Sequence, residues 1–101
     1  MENKRFQKVA KALADPRRFE IFQKIATARA GGLCCGAICE EFPVSQATIS
    51  HHLKELTEAG LLESRSEGQF KFWSVNTETM NEYIAELQMR LQLPKVKSNK
   101  W

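Results

Sequence analysis

Two groups of residues in this 101-residue chain have types and spacing that could do chemistry. The first is a trio of thiols, Cys34, Cys35 and Cys39. Cys35 and Cys39 lie four apart and would share a helix face, with Cys34 adjacent, so three thiolates could converge on arsenite or another soft metal ion. A thiol near a helix N-terminus is also more readily ionised and oxidised, which suits a redox switch. Against both stands the tendency of free cysteine to be buried as a small hydrophobe. The residues alone leave all three uses open. The second group is polar: Gln46, Ala47, Ser50, His51 and Lys54 fall on one side of a helical repeat whose other side carries Ile49, Leu53 and Leu56. Such short, uncrowded side chains can approach base edges, Gln46 with a paired donor and acceptor for adenine, Ser50 and His51 with single bonds. Ser45 and Thr48 at the start of that helix suit phosphate, where free amides and the helix dipole favour an anion. His52 borders the apolar side and reads as a packed, hydrogen-bonded histidine.

The elements that must carry these groups follow from period and punctuation. Phe6, Val9, Ala10 and Leu13 give residues 3–14 one apolar helical stripe. Asp15-Pro16 ends that helix and starts the next, since Asp caps free amides and Pro loses nothing in a first turn. The second helix is expected from Pro16 to about Ala28, burying Phe19, Ile21, Phe22 and Ile25. Gly31-Gly32 breaks the pattern, a short helix from Cys35 to Glu41 follows with Ile38 and Phe42 as anchors, and Pro43 stops it. The polar-faced helix begins after Ser45 and ends by Gly60. The period then changes: Leu61–Arg65 and Gln69–Val75 flank a Ser66-Glu67-Gly68 turn, giving a β-hairpin. Met80, Tyr83, Ile84, Leu87 and Leu91 define a last helix from Thr77 to Leu91, before Pro94 and a basic tail.

The expected fold is therefore mainly α, a winged helix-turn-helix of about five helices with a two-stranded wing. Residues 1–93 form the domain and 94–101 the tail. A helix fits the major groove of double-stranded DNA while a hairpin reaches the adjoining backbone. Arg17 and Arg18 on the second helix, and Arg65 and Lys71 beside the wing turn, place basic groups on either side of the polar-faced helix. Phe6, Val9 and Leu13 on the first helix and Met80, Tyr83, Ile84, Leu87 and Leu91 on the last make stripes that a small core cannot easily cover, so a homodimer is expected to bury them.

Composition narrows the classes. The net charge of +3 permits a nucleic-acid partner without requiring one. No run approaches the ~18 apolar residues of a membrane span and no apolar signal core follows the N-terminus, so a cytoplasmic protein without a membrane partner is expected. No nucleophile, base and orienter set and no Gly-rich phosphate loop is present, and Cys35 and Cys39 are not a Cys-x-x-Cys pair, which argues against an enzyme. The remaining rival is a protein-binding winged helix, which would carry an acidic or apolar outer face instead of Gln46, Ser50, His51 and Lys54.

Three segments in order, Leu13–Phe22, Val44–Leu56 and Ala59-Gly60-Leu61-Leu62, closely resemble the ArsR family of bacterial transcriptional repressors. The resemblance covers residues 6–91. It implies a dimeric winged-helix repressor, with the first and last helices forming the dimer and the Ser45 to Ala59 helix reading a palindromic operator. Repression by promoter occlusion is likewise implied. Members often sense soft metals or arsenic through Leu-Cys-Val-Cys-Asp at the third helix. Here the matching stretch is Leu33-Cys34-Cys35-Gly36, with Gly36 at the second cysteine position. The family's zinc site on the last helix uses Asp and His. Residues 77–91 contain neither, so no zinc site is expected there.

Overall fold

The computed structural model describes residues 1–28 and 31–94. The chain runs α1 (Asn3–Ala14), α2 (Pro16–Ala26), β1 (Leu33–Cys34), α3 (Cys35–Glu41), α4 (Gln46–Glu58), β2 (Leu62–Glu67), β3 (Phe70–Val75) and α5 (Thr77–Arg90). The expected basic tail falls almost entirely on residues outside those described.

Local chemistry sets the boundaries. The Asp15 carboxylate accepts from the Arg18 amide at 2.9 Å with Pro16 at the first position of α2. Ser45 Oγ accepts from the Thr48 amide at 3.1 Å and Asn76 Oδ1 from the Thr79 amide at 3.3 Å. Each cap occupies an amide that the helix cannot pair itself, and each contributes about 1 kcal/mol.

One core joins the helices. Val9, Ile21, Ile25, Ile38, Ile49, Leu53, Leu56 and Leu61 pack together out of solvent, so α4 lies against α1, α2 and α3 along its apolar side. The α1–α5 seam is stitched by Phe6 against Tyr83, ring centroids 5.2 Å apart, and by the Arg5 Nη2 bond to Thr79 Oγ1 at 3.0 Å.

Four expectations need correction. Phe19 is not buried on α2 but 46% exposed, because the buried side of that helix is fully supplied by Ile21, Phe22 and Ile25. The hairpin turn is Gly68-Gln69 rather than Ser66-Glu67-Gly68: Glu67 pairs with Phe70 and stays in the ladder, leaving Gly68, at φ 61°, to make the reversal. The wing is not two-stranded. Leu33 and Cys34 pair antiparallel with Trp73 and Phe72, so β3 is the middle strand of three. Gly32 makes that approach possible, since with φ at 81° any Cβ there would collide with the backbone carbonyl of Trp73. Finally, Val9 has no exposed surface and Tyr83 is only 9% exposed; both are consumed by the chain's own core and cannot make a dimer face.

Candidate nucleic-acid interface

Helix α4 presents the polar face as its sequence implies. Ile49, Leu53 and Leu56 are buried, while Gln46, Ala47, Ser50, His51 and Lys54 are all exposed. Those five side chains occupy less than half of the helix circumference, a strip suited to the floor of a groove. At the N-terminal end Ser45 and Thr48 hydroxyls stand 2.9 Å apart, beside the first free amides of the helix.

Basic groups flank this strip unevenly. Arg17 stacks over the Phe42 ring at 5.7 Å, tying the start of α2 to the turn between α3 and α4. Arg18 reaches from α2 to α4, where its Nε donates to His52 Nδ1 at 3.2 Å. His52 is a packed, hydrogen-bonded residue as expected, 7% exposed. Burial holds its pKa below the ordinary histidine value, the Asp15 carboxylate opposing that shift and the nearby Arg18, His51 and Arg17 charges adding to it. The Asp15 carboxyl sits below the usual range, chiefly through the Arg18 amide it accepts.

On the wing the basic residues are engaged internally. Arg65 donates through Nη1 to the Gly31 carbonyl at 2.6 Å and through Nε to Glu67 at 3.1 Å, and its guanidinium lies 4.8 Å from the Phe72 ring centre. Lys71 sits over the Trp73 ring at 4.7 Å. Sequence reasoning missed these contacts because the third strand that brings Gly31 to the wing is only two residues long.

The thiols are only partly brought together. Cys35 and Cys39 face each other across one turn of α3 with Sγ atoms 3.8 Å apart. Cys34 stands on β1 opposite Phe72. Burial pushes the Cys35 thiol up, reinforced by its bond to Cys39, while the Ser50 hydroxyl of α4 pulls slightly the other way. Among the described residues no group of three His, Cys, Asp or Glu side chains is arranged to hold a metal ion, so the three-thiol cage for a soft ion is not assembled.

Likeness to known proteins settles the family. A helix-turn-helix domain family matches residues 13–65, more than half of the chain. Over 76 residues the chain is 36% identical to the transcriptional repressor SdpR of Bacillus subtilis, covering 75% of this chain and 81% of that one. It is 31% identical over 83 residues to the arsenical resistance operon repressor of the same species, covering 82% and 77%. The chain belongs to the ArsR family. An ArsR-like transcriptional regulator from Rhodococcus superposes with a TM-score of 0.74 at 25% identity, covering 88% of this chain and 80% of that one. The homodimeric winged helix-turn-helix domain of Mb0332 from Mycobacterium bovis shares the fold, with a TM-score of 0.69 at 21% identity over 97% of this chain and 89% of that one. This ArsR-family chain is thus a winged helix-turn-helix, DNA-binding transcriptional regulator. No helix among its described residues is long and apolar enough to cross a membrane.

Proposed function

We propose that the protein is a dimeric repressor that binds a palindromic operator and occludes a promoter, acting by binding and not by catalysis. The exposed strip Gln46, Ala47, Ser50, His51 and Lys54 on a buried scaffold carries the reading, supported by the repressor names of the relatives. Gln46, Ser50 and His51 read base edges, with Ala47 offering an apolar contact. Ser45, Thr48, Lys54, Arg17 and Arg18 take phosphates, and Arg65 and Lys71 bring the wing to the adjoining backbone. The dimer face is drawn from Phe6, Leu13, Met80 and Leu87, all half-buried, with Ile84 and Leu91, which are 43% and 61% exposed. Exposed Met89 and Leu93 extend the same end of α5. Two reading helices would then meet half-sites about one duplex turn, ~34 Å, apart.

The test is fluorescence anisotropy of the reduced protein on duplexes recovered by random-sequence selection, at two salt concentrations, with sedimentation to give the oligomeric state. Tight binding of a dimer to a palindrome, weakening steeply with salt, is the expected result. A monomer, or a protein that selects no sequence, would overturn it.

A second reading, release of the operator through the thiols, is favoured by the 3.8 Å Cys35–Cys39 pair lying beside Ser50 of the reading strip. The pair offers two thiols, without Cys34 joining to make three. Repeating the binding experiment with arsenite, and separately with hydrogen peroxide, tests it. Loss of binding that is abolished by Cys35→Ser assigns the trigger to the pair; indifference to both reagents makes these packing thiols.

A further inference from the structure

Among the described basic residues around the reading strip, Arg18 alone is bonded to the helix that carries the strip, and its partner is a buried histidine. An arginine offers only donors, so the His52 imidazole must accept at Nδ1 and keep its own proton on Nε2. Desolvation of His52 favours that neutral form. The groups facing it are Asp15 at the start of α2, Arg17 and Arg18 on α2, and His51 on α4. Arg18 is restrained twice. Its backbone amide is held by Asp15 at 2.9 Å and its Nε by His52 at 3.2 Å, while Nη1 and Nη2 make no hydrogen bond among the described residues.

We propose that His52 is a positioning residue for DNA binding: from within the core it accepts the Arg18 Nε–H and holds that guanidinium beside the reading helix, with Nη1 and Nη2 left for a phosphate. This rests on the DNA-binding reading of α4. The physical advantage is preorganisation. A free arginine loses rotamer freedom when it meets a phosphate, whereas Arg18 has already lost it in the unbound protein, which corresponds to about a three- to tenfold gain in affinity. The bond also fixes α2 to α4, so the phosphate contact and the base-reading strip keep one spacing.

The experiment compares affinity and salt dependence on one selected duplex for the wild type, His52→Asn, His52→Leu, Arg18→Lys and the His52→Leu/Arg18→Lys pair. Asn Oδ1 can stand where Nδ1 stands, so His52→Asn is expected to keep wild-type affinity. His52→Leu is expected to raise Kd about three- to tenfold. Its log–log salt slope becomes shallower by up to about 0.9, the share of one phosphate. Arg18→Lys keeps the charge but has no Nε–H, so it should weaken binding similarly even where His52→Leu does not fold. Adding His52→Leu to Arg18→Lys should then cost nothing further. Losses that multiply in the double variant, or an Asn variant as weak as the Leu variant, would overturn the proposal. A wild type that binds no duplex would instead remove the reading on which it rests. In that case 15N NMR of the His52 ring still reports the bond, because a protonated Nδ1 is incompatible with it.

Discussion

The reading helix and the wing both carry polar and basic residues at exposed positions, yet the two are built in opposite ways. On α4 the outward side chains are mostly free and the inward ones are locked: Ile49, Leu53 and Leu56 hold the helix, and among the described residues no hydrogen bond or ion pair engages the side chains of Gln46 or Lys54. On the wing Leu62 is buried and Trp73 and Val75 pack half-buried against the core, but the rest of the hairpin stands in solvent, and there the outward charges add to the holding, Arg65 through Gly31, Glu67 and Phe72, and Lys71 through Trp73. Charge at the surface therefore has two uses here. Where the core fixes an element along its length, charge is left for a partner; where the core reaches only one end, charge helps to maintain the rest.

That contrast can be broken most forcefully from beneath. Leu53→Ala removes the anchor under the reading strip and is expected to destabilise the protein by about 2–5 kcal/mol in urea unfolding, because the surrounding core fills such a cavity only partly. Arg65→Ala, by comparison, is expected to lower global stability by far less. The next effect is on selectivity. Gln46→Ala should lose about 1–3 kcal/mol of discrimination at one base pair of each half-site, measured by competition between matched and singly altered duplexes, with affinity for random DNA hardly changed.

A finer test sets Lys54 against Arg65. Lys54→Ala should reduce the salt slope of DNA binding by about 0.9 per subunit, while Arg65→Ala should reduce it by less, since its guanidinium is already engaged. Equal reductions would erase the distinction between free and engaged charge. The smallest effect is of pH on stability. The folded His52 has a depressed pKa, so as pH falls below the ordinary histidine value of about 6.5 the unfolded chain binds a proton that the folded chain refuses. Stability should therefore decline between pH 7.5 and 5.5 in wild type and decline less in His52→Asn, read from urea midpoints. Asp15, whose carboxyl is depressed, acts in the other window: its contribution is present above the usual carboxylate range and is lost as pH falls through it.

How much of this could be read beforehand differs by element. Period and caps sufficed for α1, α4 and the start of α2, because Asp15, Ser45 and the spacing of Ile49, Leu53 and Leu56 act over three or four residues. The same local logic placed His52 at the edge of the core. It did not find the Arg18 bond, which joins positions 34 residues apart. The third strand was hidden for a related reason: two residues cannot display an alternation, and the informative neighbour, Gly32, looks like any loop glycine until Trp73 is packed against it. On the dimer stripes, helical spacing does not tell a residue facing its own chain from one facing outward, so Val9 and Tyr83 look the same as Ile84 and Leu91 in the sequence. Which face α1 and α5 turn to each other is decided by tertiary packing, at Phe6 and Tyr83.

The two-residue β1 has a consequence for how such a regulator can change. It fastens the segment entering α3 to the middle strand of the wing, so α4, the helix proposed to read bases, and the wing share one chassis and a fixed gauge. On the proposed reading, exchanges at Gln46, Ser50 or His51 would alter which bases are recognised and leave that gauge intact. A different separation between the base contacts and the flanking backbone contacts would require rebuilding the sheet. The protein can thus acquire a new vocabulary one residue at a time, but it must keep its metre.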